Sequence, residues 1–360
     1  MLYLTKWLGV TESDAERGLI PEEYLVSEIE KNVLLMQAKS AKDQHKPLRR
    51  GTHAKGICVQ AELEILDFTG KDSALRGRLE KGIFAKAARY PAIVRFANAD
   101  SNANRDAKPD VRSLSFSADL TQGGNMSSDF EVNRQDFSMQ NATVLPINDA
   151  TAFLAITKVL AAPNPAKGLI GLSFKDKLRV FRTLALTRGM QTQPLQPYQL
   201  LRYHSNTPYK HGTGQYVKYS LTPSSKNRGN ALDKKNPNCL QDELIRHLTS
   251  DSQASSFDFG VQFLDIDKMT YHGKHYDTNF WIENASVEWH ERESPFHTVA
   301  RLTLLPKSHF SVDEGENISF DVVGNTTADS LPVGSINRAR QKSELASKHA
   351  RLAQNQNKPA

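Results

Sequence analysis

A stretch of strict two-residue alternation constrains this chain most. Ile57, Val59, Ala61, Leu63 and Ile65 are apolar, while Gln60, Glu62 and Glu64 between them are polar. Successive side chains of an extended backbone point to opposite faces, so the pattern predicts a strand with one buried face. Short runs of similar character follow at 91–97, 113–118, 129–133, 214–222, 256–264, 284–290 and 298–305. Eight runs, joined mostly by turn-rich segments rather than regular helical crossovers, predict an antiparallel sheet closed or nearly closed into a barrel. Helical patterns at roughly 147–161, 174–188 and 238–250 interrupt it. Leu25, Ile29, Val33 and Leu34 predict an amphipathic helix from Pro21 to about Lys42, and its early glutamates suit the positive end of a helix dipole. A last helix is predicted from Ser335, a good N-cap residue, to the polar tail. The expected class is α+β: an N-terminal helical arm over 1–45, an eight-stranded antiparallel barrel with helical insertions and a C-terminal helix over 46–355, and a tail over 356–360.

Composition excludes several function classes. At 360 residues and 39% hydrophobic, the chain can bury one large core or two modest ones. Its +6 net charge is scattered among 40 acidic residues, which describes a solvated surface rather than a nucleic-acid-binding face. Cys58 and Cys239 lack paired spacing, so neither a disulfide framework nor a thiolate metal site is expected. The first residues lack a basic segment followed by a long apolar one, and no later stretch reaches membrane-span length. A soluble, cytoplasmic protein is the expectation. His272 with His275, and His204 with His211, come without carboxylate or cysteine ligands at a telling spacing.

Taken singly, His53, Asn141, Arg50, Arg95, Phe153, Arg340 and Arg351 are ordinary surface or core residues. Arg340, Glu344 and Arg351 share one face of the last helix at roughly 100° per residue. Such a face can hold an anion, or Arg340 and Glu344 can simply pair on a wet surface.

The joint pattern resembles the haem catalases and their small catalase-related cousins. His53-Ala54-Lys55-Gly56 matches the segment that carries the family's distal histidine. Arg50, three residues earlier, and Arg95 in Val94-Arg95-Phe96 stand where the family binds haem propionates. Asn141, eight residues before Asp149, resembles the distal asparagine, and Phe153 the phenylalanine that packs on the haem face. Asp110-Val111-Arg112-Ser113 loosely echoes a further catalase stretch. Gly334-Ser335-Ile336-Asn337-Arg338-Ala339-Arg340 is similar to the proximal segment, with Arg340 one turn before the axial position and Arg351 as a third propionate arginine. The similarity spans about residues 50 to 351.

Three departures qualify what the resemblance implies. The axial position, four residues after Arg340, is Glu344, and no tyrosine follows Tyr276. Tyrosinate ligation is therefore not expected from this helix. Ala97 replaces the serine that supports the distal histidine. Thr52 stands where ordinary catalases have valine, similar to coral allene oxide synthase, which acts on fatty-acid hydroperoxides. The resemblance thus implies a haem b oxidoreductase of the peroxidase or catalase-like kind, or a hydroperoxide isomerase or lyase. It would have His53, Asn141 and Thr52 at the reacting end. Arg50, Arg95, Phe153, Arg340 and Arg351 would hold the haem, and Glu344 would sit at the iron. An organic hydroperoxide is expected over hydrogen peroxide, and a homo-oligomer stays open. The alternative expectation is a haem-free catalase-fold protein that binds a lipid or other small molecule.

Overall fold

The computed structural model describes residues 21–44, 48–122, 132–250 and 254–356. The strands are β1 (Gly56–Ile65), β2 (Ala88–Asn98), β3 (Arg112–Asp119), β4 (Arg134–Gln140), β5 (Tyr203–His204), β6 (Tyr209–Lys210), β7 (Tyr216–Pro223), β8 (Ser255–Phe263) and β9 (Phe296–His309). All pair antiparallel in the order β5-β4-β3-β2-β1-β9-β8-β7, and a β5–β7 pairing closes the ring; β6 pairs on β7 outside it. Closure leaves eight strands in the barrel, the predicted number, but the unpredicted short β5 takes the place of the run at 284–290.

The inward residues explain why the barrel is a core and not a container. Leu63, Val94, Phe116, Phe137, Tyr219, Phe259 and Leu302 are fully buried in one cluster. Phe137 meets Phe116, Tyr219 and Phe259 at centroid distances of 4.7, 5.3 and 5.2 Å. Aromatic side chains thus fill the interior, and any ligand site must be built on the outer wall.

The helices are α1 (Glu22–Gln44), α2 (Ser73–Leu79), α3 (Ala150–Ala161), α4 (Pro165–Ile170), α5 (Phe174–Met190), α6 (Cys239–Thr249), α7 (Thr278–Glu283), α8 (Val312–Asn317) and α9 (Ser335–Gln356). The apolar stripe of α1, Leu25, Ile29 and Val33, is buried against Ala150 and Leu154 of α3 and Ala339 of α9. α1 packs into the same layer as the C-terminal helix.

One predicted strand is absent where it was expected. Residues 284–290 form no strand. Val287 and Trp289 do alternate inward, but against Met269 and Trp281 in a satellite cluster with no neighbouring strand to pair. The run at 129–133 lies partly outside the described residues, and its strand, β4, starts at Arg134. The predicted arm before Pro21 and the tail from 357 also lie outside the described residues.

Candidate functional site

Strand alternation generates the site. Phe137 and Met139 of β4 enter the barrel core, so Ser138 and Gln140 must face outward, beside Ser113 and Ser115 of β3. Ser115 Oγ and Ser138 Oγ are 3.3 Å apart across the strand pair. Against this small, polar wall lie Phe153 of α3, one face of α9 and the turn that precedes β1. Together they enclose a cavity of about 250 Å³.

The turn before β1 presents His53. Its φ of +58° is left-handed, an uncommon state for a residue with a side chain. Three backbone contacts hold it there: His53 N–H donates to Ala99 O (3.1 Å), Ala54 N–H donates to Asp100 O (3.1 Å), and Arg95 Nη2 donates to His53 O (3.0 Å). Thr52 Oγ1 lies 3.0 Å from His53 Nδ1. With Ala97 unable to orient the ring, the neighbouring hydroxyl does so. His53 Nε2 is buried and has no hydrogen-bond partner.

Gly56, the last residue of the histidine motif, is glycine for lack of room. A Cβ there would stand 2.5 Å from Phe96 O and 2.7 Å from Arg95 Cζ. Gly56→Ala should therefore push Arg95 aside or spread β1 from β2, at a cost of roughly 1–3 kcal/mol for overpacking. An unchanged urea midpoint would show that the strand pair has slack the geometry does not suggest.

Arg95 is buried among outward residues of β2, and Arg50 and Arg351 close round it from the preceding turn and from α9. At their centre is a carboxylate the sequence reading does not anticipate, Glu316 of α8. Its Oε1 lies 3.1 Å from Arg50 Nη1, 3.4 Å from Arg49 Nη1 and 3.6 Å from Arg95 Nη2. Arg50 Nη2 also donates to Gly315 O and Ile318 O. One carboxylate does not exhaust these donors: Arg351 Nε is buried without a partner, and the acceptor Glu316 Oε2 is likewise left unpaired. Burial and then the Arg95 charge push the Arg50 guanidinium down well below its ordinary value. Burial likewise lowers Arg351, partly offset by Glu316.

On α9, Arg340 Nε donates to Glu344 Oε1 at 2.9 Å. The Glu344 side chain is 40% exposed, on the solvent margin of the cavity wall rather than buried in it. The walls thus carry four guanidiniums (Arg50, Arg95, Arg340 and Arg351) and Lys348 with one carboxylate, Glu344, while the Arg49–Glu316 pair stands behind Arg50. The cavity is electropositive, which suits an anion.

The same field acts on His53. Burial first, then Arg95, Arg340 and Arg50, push its pKa down to about 3. Burial also lowers His204 to about 3 and His211 to about 4. These rings are neutral in the folded protein, whereas unfolded histidines titrate near about 6.5. The unfolded chain binds more protons below that value, so the stability these rings contribute is complete above about pH 6.5. It is lost as pH falls toward the native values. Urea midpoints should decline between about pH 6.5 and about pH 4; a flat profile would mean that the rings are charged in the native state.

Arg50, Thr52, His53, Arg95, Phe153, Arg340, Glu344 and Arg351 all line this one cavity. Asn141 does not. Its Oδ1 accepts from Arg112 N (2.7 Å), and its Nδ2 donates to Gln193 Oε1 (3.0 Å), on the wall of a different cavity. Gln140, the last residue of β4, lines the His53 cavity, and Asn141 lies just past the end of that strand. Arg112 serves the fold, donating to Asn98 Oδ1 (2.7 Å) and Asp106 O (2.6 Å). The signal for Gln140 was available in the alternation Asp136, Ser138, Gln140 against Phe137, Met139. For Glu316, inside the acidic run Val312–Asn317, no such signal exists. Among the described residues, no group of three His, Cys, Asp or Glu side chains is placed to hold a metal ion.

No family model matches the chain, and no curated protein matches it in sequence. Solved structures do match. A fungal catalase superposes with a TM-score of 0.63 at 17% identity, over 88% of this chain and 62% of its own. Catalase A from Saccharomyces cerevisiae gives 0.62, 17%, 88% and 63%; a bacterial catalase gives 0.57, 14%, 89% and 60%. The chain therefore spans little more than three-fifths of these catalases' length. At such identities the likeness speaks for architecture. Closed eight-stranded barrel, aromatic core and helical outer layer together make this a protein of the catalase fold.

Proposed function

We propose that the cavity beside His53 binds haem b and acts on an organic or fatty-acid hydroperoxide rather than on hydrogen peroxide. The observation that carries this is the buried, unpartnered Nε2 of His53 in a cavity walled by guanidiniums. The residues present fit a haem in three respects. Arg50, Arg95 and Arg351 hold more donor capacity than Glu316 uses, which suits carboxylate side chains of a ligand. Phe153 offers an apolar face. The serines of β3 and β4 keep that wall low. On the proximal helix the fit is weaker, because Glu344 supplies a carboxylate already paired with Arg340.

Bound haem would supply the iron and redox chemistry of O–O bond cleavage. The chain's own part is proton handling and positioning. With Nδ1–H donating to Thr52 Oγ1, the Nε2 lone pair of His53 is free to take the hydroperoxide proton. Its low basicity comes partly from nearby arginines, so carboxylates of a ligand among them would raise it toward the working range. Gln140 is the wall residue that could donate to the second oxygen. Glu344, harder and less donating than a tyrosinate, implies slow turnover.

Two observations favour a second reading, a haem-free pocket for an anionic small molecule such as a lipid carboxylate. Glu316 already stands among the propionate-type arginines, and Glu344 is engaged with Arg340. An absorption spectrum of protein expressed with ample haem precursor separates the two. A Soret band with stoichiometric iron supports haem; its absence promotes the second reading. In the haem-bound protein, Glu344→Tyr should place a phenolate one turn after Arg340, whose charge lowers the phenol's pKa. A changed spectrum and faster peroxide turnover are expected. A spectrum identical to the parent's would mean that position 344 does not face the iron.

A further inference from the structure

One side of α5 is left uncovered by the fold. Its buried residues, Val180 and Thr183, face inward, Val180 packing with Ile156 and Val159 of α3. At roughly 100° per residue, Phe174 and Phe181 fall within about 20° of each other, and Leu184 lies between Phe181 and the buried Val180. Phe174 is 77% exposed, Phe181 56% and Leu184 47%, and Ile170, the last residue of α4, is 77% exposed. Scattered exposed apolar residues need no explanation, but four large ones on two consecutive helices do.

The charge around them is one-sided. Between residues 160 and 190 the chain has six basic residues (Lys167, Lys175, Lys177, Arg179, Arg182, Arg188) and one acidic residue, Asp176. Asp176 is engaged by Arg179 at 2.7 Å. This short segment thus accounts for five of the chain's six net positive charges. Lys167, Lys175 and Arg188 are exposed near these apolar residues, whereas Arg179 and Arg182 are mostly buried. Exposed apolar side chains with basic ones beside them are the pattern of a helix that lies in a membrane interface. A second copy docking through the same face would set base against base, which disfavours a self-complementary dimer.

Behind the C-terminal end of α5 lies a second cavity, of about 750 Å³, walled by Ala185, Leu186 and Met190 on one side and Val144 and Leu201 on the other. Its volume falls in the range of about 300–1,000 Å³ that small-molecule sites occupy. Arg188 and Arg202 supply its positive groups. It adjoins the His53 cavity across a thin wall. Gln140 and Leu145 line the first cavity, the residues between them line the second, and His204, paired with Gln140 in the barrel, also faces the second.

We propose that α4 and α5 dock on an anionic lipid bilayer and that the second cavity receives an acyl chain from it. This does not rest on haem in the first cavity. The full chain should sediment with vesicles of phosphatidylcholine and phosphatidylglycerol, and about tenfold or more weakly with phosphatidylcholine alone or at high salt. Phe174→Ser with Phe181→Ser should weaken sedimentation by about tenfold or more. Lys167→Glu with Arg188→Glu should remove the preference for anionic vesicles; all four positions are exposed, so thermal midpoints should not change. No sedimentation with anionic vesicles, or sedimentation indifferent to both double variants, overturns the docking. So does self-association of the parent that the phenylalanine variant abolishes, since these side chains would then face a second copy. For the cavity, a dansyl-labelled fatty acid should gain fluorescence on the parent and lose it on Ala185→Trp. Fluorescence that survives Ala185→Trp but is lost in Ser115→Trp would place the acyl chain in the first cavity and overturn that assignment. All readouts use haem-free protein, so failure of the haem reading leaves them intact.

Discussion

Glu316→Ala should lower the free energy of unfolding by about 3–5 kcal/mol, the cost of removing one partner from a buried ion cluster. The Glu316 carboxylate is within 3.6 Å of three guanidiniums, and its side chain is 10% exposed. Without it, Arg50 and Arg95 face each other and Arg351 with no compensating charge and little water. A second effect should accompany the first. The emptied arginine cluster should bind an anionic ligand more tightly than the parent, and saturating ligand should restore part of the lost stability by mass action. Urea unfolding with and without protoporphyrin checks both effects. A midpoint unchanged by the substitution would mean that solvent ions already neutralise the arginines. Destabilisation with no gain in porphyrin affinity would mean that the cluster holds α8 to the barrel and nothing else.

His53→Ala should slow consumption of an organic hydroperoxide by haem-loaded protein by about 10²–10⁴-fold, the usual worth of a positioned proton-transfer group. Haem retention should change little, because the arginines that would hold the carboxylates are not altered. The backbone at 53 is left-handed, and alanine tolerates that no better than histidine, so His53→Gly is the companion variant that separates strain from chemistry. Both variants should be equally slow. If the glycine variant retains the parent's rate, proton transfer by the imidazole is not part of the reaction.

The site was partly legible in the sequence for a definite reason. Arg50, Thr52, His53 and Arg95 lie on one turn and one strand pair, and their relative placement follows from local spacing and from the Gly56↔Ala97 register. Arg340, Glu344 and Arg351 share a helix face by periodicity alone. For Asn141, the spacing to Asp149 does not tell which cavity the residue faces; the end of β4 at Gln140 puts Asn141 on the second one. Glu316 was invisible because nothing local distinguishes its acidic run from a solvated loop; only the packing of α8 against β1 carries it into the arginine cluster.

The sequence by itself determined the barrel, because period-two alternation fixes which face of each strand is buried whatever the partner strand. It also determined that the outer wall carries histidine and arginine. Only the tertiary structure decided that 284–290 lacks a strand to pair with, that the barrel interior is packed solid with aromatic rings, and that α1 joins α3 and α9 in one layer. It also decided the charge state of the site. Desolvation of His53 and the meeting of Glu316 with three arginines depend on groups more than two hundred residues apart in the chain, and burial and proximity exist only once those groups have been brought together.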